Sequence, residues 1–297
     1  MTREEILMEK YHEMWKKYID GKMEFFKTPA IGRMDPFKIA DNLYYVGDKY
    51  VCIHLIDTGD GLILIDSGYL GATHLLVDNI WRAGFDPKNV RWIIHTHGHS
   101  DHYGASEEFR IMYGTKLAIS KVDAELIRGK DISSELYPMS KVPEFDYEIE
   151  DGEIFELGNV KIRCVLTPGH TDGVLSLFFD VTYEGQTYLA GMLGGAGVNA
   201  LTLPYIIKNQ RKVSPTQQML DSIEKIWDEP VGIHLGNHPS NNKTLQKREK
   251  QLNEGGNPFV DSESWRNFLT DLKMKVEKVA LDNQKTEKEI SESIRSK

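Results

Sequence analysis

Four of the ten histidines fall inside one octet, HTHGHSDH, covering His95 to His102. Histidines two residues apart cannot share a helix face, but on a loop leaving a strand they can converge on one ion. Imidazole nitrogen and carboxylate oxygen are ligands that zinc accepts at ~2.0–2.2 Å, and three protein ligands leave a position for water. The octet therefore offers His97 and His99 to one metal, and Asp101 with His102 to a second. An apolar run, RWIIH (91–95), precedes it and a helical pattern, HYGASEEFRIMYG, follows. Strand, loop and helix in that order are the setting such a motif requires.

The rest of the chain must build that setting. Short apolar runs of strand length and β-branched content occur at 43–47 (LYYVG), 51–57 (VCIHLID) and 62–66 (LILID), with Gly59, Asp60 and Gly61 turning the last two. A helical pattern covers 72–84. A second strand-rich block holds VKIRCVL (160–166), VLSLFF (174–179) and TYLA (187–190), and VGIH (231–234) reads as a last strand. Ser214, Pro215 and Gln217 carry the start signals of a further helix. Strands interleaved with helices predict a layered α/β architecture.

Both ends are predicted to be helical. Thr2 and Glu5 have capping-box spacing, and Leu7, Tyr11, Met14 or Trp15, and Tyr18 recur at helical intervals toward Gly21. Trp265, Leu269, Leu272, Val276 and Val279 form one stripe, and the nearly polar sequence after Leu281 is expected to fray. The division expected is a helix and linker at 1–36, a main domain at 37–260, and a helix with polar tail at 261–297. The end helices are expected to dock on the body or join copies into a homo-oligomer.

The 36 Lys+Arg against 45 Asp+Glu leave a formal charge of −9, which disfavours a nucleic-acid partner. No apolar stretch approaches the ~20 residues a membrane span needs, and the first twenty residues are too charged for a secretory signal. Cys52 and Cys164 form no C-x-x-C pair, so neither a disulfide framework nor a thiolate zinc cage is readable. A cytoplasmic location is the expectation.

From His97 the octet resembles the H-x-H-x-D-H signature of the metallo-β-lactamase superfamily. LIDSG (64–68) resembles its D-x-G element, with Asp66 supporting the metal loop, and TPGHTDG (167–173) resembles the segment whose histidine, here His170, completes the first metal's ligands. The resemblance implies a four-layer αββα sandwich with two zinc ions at one edge. Most superfamily hydrolases bridge the metals with an aspartate, but the matching stretch, TYLAGMLGGAG (187–197), carries Gly191 and Met192. The third lactamase subclass instead completes its second site with a histidine in a late His-Pro pair. His238-Pro239 is similar to that element, and His234, ending an apolar run, is the rival. His54 is expected in the core or behind the ligands, His95 as support or packing, and His12 and His74 on helices without partners.

The activity implied is that of a zinc hydrolase directing hydroxide at the carbonyl of a cyclic amide, as β-lactamases do. Asp101 would hold the second zinc, orient the hydroxide and pass a proton to the leaving group. Two Zn²⁺ against Asp101 and one hydroxide leave about +2 in the cleft, so a small anionic substrate is expected. Tyr137 and Met139, in a loop at 131–145, with Met192 and Asn199, are the candidate substrate contacts; Tyr205, Lys208 and Arg211 stand near them in sequence. A lactonase or other ester or thioester hydrolase is the alternative, and an iron oxidoreductase on the same fold the more distant one.

Overall fold

The apolar runs pair into two sheets in the computed structural model, which describes residues 1–129, 142–211 and 213–295. The first sheet contains β1 (Phe37–Ala40), β2 (Leu43–Tyr45), β3 (His54–Asp57), β4 (Leu62–Ile65), β5 (Val90–Ile94), β6 (Lys116–Ser120) and β7 (Tyr147–Ile149), side by side in that order. Pairing is antiparallel from β1 to β4 and parallel from β4 to β7. The second sheet contains β8 (Ile154–Leu157), β9 (Val160–Leu166), β10 (Leu175–Tyr183), β11 (Gln186–Met192) and β12 (Val231–Leu235), again neighbours in sequence order, with only β11 and β12 parallel.

Alternation along single strands explains the layers. Ile63 and Ile65 of β4 enter the core between the sheets, whereas Leu62 and Leu64 pack with Leu76, Ile80 and Phe109 of the helices outside. In β10, Leu175, Leu177, Phe179 and Val181 face inward, while Phe178 packs outward with Trp265 and Leu269 of the C-terminal helix. A strand buried on both faces reads as an unbroken apolar run, as LILI does. The result is the expected αββα sandwich.

Both terminal helices run further than their sequences announce. The first spans Arg3–Lys27, opened by the Thr2–Glu5 capping box, and continues past Gly21. An interior glycine costs a helix about 1 kcal/mol. The last turn is held nonetheless by Phe25, buried against Tyr50 and Tyr69. The last helix, Ser264–Arg295, does not fray after Leu281. Asn283 accepts from the Leu203 N–H at 2.7 Å and donates to the Leu201 carbonyl at 2.8 Å, Arg3 grips Glu287 at 2.6 and 2.9 Å, and Ile290 is buried. Long-range contacts absent from any local pattern keep this polar tail in register. Among the described residues, no helix is long and apolar enough to cross a membrane.

Candidate metal centre

Asp66, the octet, His170 and His238 each lie just beyond the end of a strand, β4, β5, β9 and β12 respectively. The turn after β4 puts Asp66 at φ +62°, a left-handed conformation costly for a residue with a Cβ. That turn aims its carboxylate into the octet. It accepts from the Thr96 N–H at 2.7 Å, the Thr96 hydroxyl at 2.8 Å and His102 Nδ1–H at 2.7 Å. The short helix Ser100–Tyr103 then seats against residues 68–70, where a Cβ on Gly104 would lie 2.1 Å from the Leu70 nitrogen.

Six side chains gather there in two adjoining triads: His97, His99 and His170 in one, Asp101, His102 and His238 in the other. In each triad the ligand atoms lie within 4.8 Å of one another. Neighbours fix which ring nitrogen stays bare. His170 Nδ1–H donates to the Gly197 carbonyl and His238 Nδ1–H to the Tyr50 carbonyl, both at 2.7 Å. Thr96 gives its proton to Asp66, so its oxygen accepts from His97 Nδ1 at 3.1 Å. His99 meets the Tyr205 hydroxyl through Nε2 at 3.2 Å. Partners of this kind orient the rings of metal-bound histidines.

Two features test whether a cation fits. His97 Nε2 and His99 Nδ1 face each other at 3.0 Å. Two nitrogens on one tetrahedral zinc at ~2.0–2.1 Å sit roughly 3.3 Å apart, so this pair stands close to the spacing that one ion requires. His102 Nε2 is fully buried, has no hydrogen-bond partner, and lies 3.8 Å from Asp101 Oδ2. Buried polar atoms are almost always paired. A cation would satisfy both features, so the donor set fits two metals.

Burial depresses the basicity of His97 and His170 well below the usual imidazole range, helped at His97 by His102 and His99. His99 is pushed down to about 4, again mainly by burial, and His238 is lowered too. Burial alone would raise Asp101, but His102, His238 and His99 outweigh it and hold the carboxyl below its ordinary range. Burial lowers and Asp66 and Asp101 raise His102, and the carboxylates win. Four neutral imidazoles and an ionised carboxylate at neutral pH are the protonation states that metal ligation requires.

A sequence profile of the metallo-beta-lactamase superfamily matches residues 46–253. The chain belongs to that superfamily. Its fold is similar to the native metallo-beta-lactamase FEZ-1 of Legionella gormanii, at a TM-score of 0.78 and 26% identity, covering 85% of this chain and 98% of that one. It is also similar to BJP-1, a subclass B3 metallo-beta-lactamase of Bradyrhizobium japonicum, at a TM-score of 0.77 and 23% identity over 85% and 96% of the chains. An N-acyl homoserine lactonase from a Bacillus species is 24% identical over 165 residues, 48% of this chain and 63% of the lactonase. Matches to the curated relatives span less than two thirds of those proteins' lengths.

Within this metallo-beta-lactamase fold the remaining candidates separate cleanly. Asn199 lines a cavity of about 250 Å³ beside His99, Asp101, His170 and His238. Met192 does not: it ends β11 with its side chain in the core between the sheets, because the strand's alternation turns it inward. Tyr137 and Met139 lie outside the described residues. His234 is held by Ser264 at 3.2 Å and packed against Trp265 and Phe268, away from the triads. His95 donates Nδ1–H to the Ala118 carbonyl at 2.8 Å and meets the Ser106 hydroxyl at 2.6 Å, a satisfied core residue. His54 donates Nε2–H to the Gly236 carbonyl at 3.0 Å, bracing the turn before His238. Arg211 is committed to the Gly169 carbonyl and to Asp172.

Two contributions had no motif to announce them. Asp123 accepts from the Gly98 N–H at 2.7 Å, the Thr171 hydroxyl at 2.7 Å and the Gly173 N–H at 2.8 Å, tying the His97–His99 loop to the His170 loop. The N-terminal helix walls the cavity with Trp15, Tyr18 and Lys22.

Proposed function

We propose that this chain is a dinuclear zinc hydrolase that opens a cyclic amide in the manner of a β-lactamase. The observation that carries the reading is the pair of adjoining triads, three histidines beside one aspartate and two histidines, with the outward nitrogens already engaged. His97, His99 and His170 would hold one ion, and Asp101, His102 and His238 the other. Bound zinc supplies an ionised water near neutral pH and draws charge from a carbonyl oxygen.

The protein's own groups do the rest. Asp66 keeps the His102 Nδ1 proton in place and anchors Thr96, so the octet cannot splay. Asp101, the one carboxylate among the six, stays ionised and can take a proton at its oxygen, then return it to the leaving nitrogen. The similarity to FEZ-1 supports a cyclic amide as substrate. The Bacillus lactonase supports a second reading, hydrolysis of a lactone at the same site.

A panel of benzylpenicillin, nitrocefin and N-acyl homoserine lactones, run on zinc-loaded protein, tests the reading. Zinc-dependent opening of the β-lactams, faster by kcat/KM than the lactones, is expected. The reverse order would hand the site to the lactonase reading, and no hydrolysis of either class would overturn both.

A further inference from the structure

Trp15, Tyr18 and Lys22 lie three and four residues apart on the N-terminal helix, one face of it, and that face closes the side of the metal cavity. The rings of Trp15 and Tyr18 stack at 5.3 Å with 16° between their planes. Beyond them the Lys22 ammonium sits over Tyr50, 4.4 Å from the ring centroid, with Tyr69 at 5.9 Å. The described residues give this ammonium no hydrogen bond and no ion pair. Two carboxylates, Asp101 and Asp48, act on it through charge, and Asp48 spends its Oδ1 on the Tyr50 and Val51 N–H groups at 2.7 and 2.8 Å.

We propose that Lys22 is a specificity-determining residue that binds the carboxylate of an anionic substrate, with the Trp15–Tyr18 rings as the platform for its apolar substituent. A half-buried ammonium that lines a cavity without a hydrogen-bonded anion is costly to keep, and burial lowers its basicity. Asp101 and Asp48 raise it in turn, so the group remains a cation. Once Asp101 is engaged by a metal, the cation is left for a ligand. The Tyr50 and Tyr69 rings hold the ammonium in place, so little side-chain freedom is lost when an anion arrives. The inference deepens the hydrolase reading and rests on it for the position of the reacting carbonyl.

Calorimetric titration of the zinc-loaded, full-length protein with N-phenylacetylglycine and its methyl ester tests the anchor without requiring turnover. The acid should bind more tightly than the ester, and Lys22→Met should shrink that preference about tenfold. Lys22→Arg should keep most of it, and Lys22→Gln should behave as the methionine variant, which separates charge from packing. In the wild type the acid's affinity should fall as salt rises. Benzylpenicillin against its methyl ester should show the same loss in KM rather than kcat. An acid-to-ester preference that is absent in the wild type, or equal in wild type and Lys22→Met, overturns the proposal. Failure to hydrolyse either substrate while the binding preference persists would instead count against the hydrolase reading alone.

Discussion

A histidine binds a cation only while neutral, and only through the nitrogen its neighbours leave bare. Burial sets the first condition at four of the five histidines, and groups outside the two triads set the second. Asp66 is the plainest case, because its carboxylate both fixes the His102 tautomer and secures Thr96. Asp66→Asn would present an amide where two donors expect an acceptor, and should weaken binding of the second zinc by roughly 10–100-fold, with a smaller loss at the first through Thr96 and His97. Competition titration with a chromophoric chelator reads this, and unchanged affinity at both sites would refute the role. The six side chains that gather in the triads and Asp66 were legible because they sit in short motifs whose spacing is itself the chemistry. Asp123 was not, because its three partners, Gly98, Thr171 and Gly173, come together only when β5 and β9 bring their loops side by side. Met192 was misplaced for a related reason: the resemblance aligned its position with the site, but strand alternation decided which way the side chain points.

At the scale of elements, strands were readable from apolar runs, and helix starts from capping residues such as Thr2 and Ser214. Helix ends were not. Gly21 and the polar run after Leu281 both carry local signals to stop, and both are overridden by contacts remote in sequence. Asn283 is the clearest such contact, since it satisfies backbone groups on either side of the Leu201–Leu203 turn that leads to Tyr205. Asn283→Ala removes both hydrogen bonds and should cost about 1–3 kcal/mol in urea unfolding. It should also raise hydrogen exchange along residues 283–295. Wild-type stability and exchange in that variant would mean the tail is held by something else. The role of the first helix as a cavity wall was hidden in the same way: Trp15 and Tyr18 read as a docking stripe, and only the packed structure turns that face toward the two triads.

Across the whole molecule, buried titratable groups predict how stability follows pH. Burial pushes His54 and His95 down to about 4 and His234 to about 3. The unfolded chain takes up protons below ~6.5 while the folded chain does not, so each histidine removes stability as pH falls from 6.5 toward its depressed value. At pH 4.5 this amounts to about 2–3 kcal/mol apiece. Burial raises Asp48 and Asp123 to about 6, and these act oppositely, binding protons in the folded state and returning about 2 kcal/mol each in the same window. The histidines prevail, and these five groups together should remove on the order of 3 kcal/mol between pH 7 and pH 4.5; in metal-free protein the depressed His97, His99, His170 and His238 add to that loss. Urea midpoints at the two pH values measure it; equal or higher stability at pH 4.5 would contradict the assignment of these histidines as buried and neutral.

The central claim is that six side chains form two separate cation sites, one dependent on His238. Elemental analysis after zinc loading and desalting, on the wild type beside His238→Ala, tests it most directly. Two zinc ions per chain in the wild type and one in the variant are expected. A wild type that keeps one ion or none, or a variant that keeps both, would contradict it.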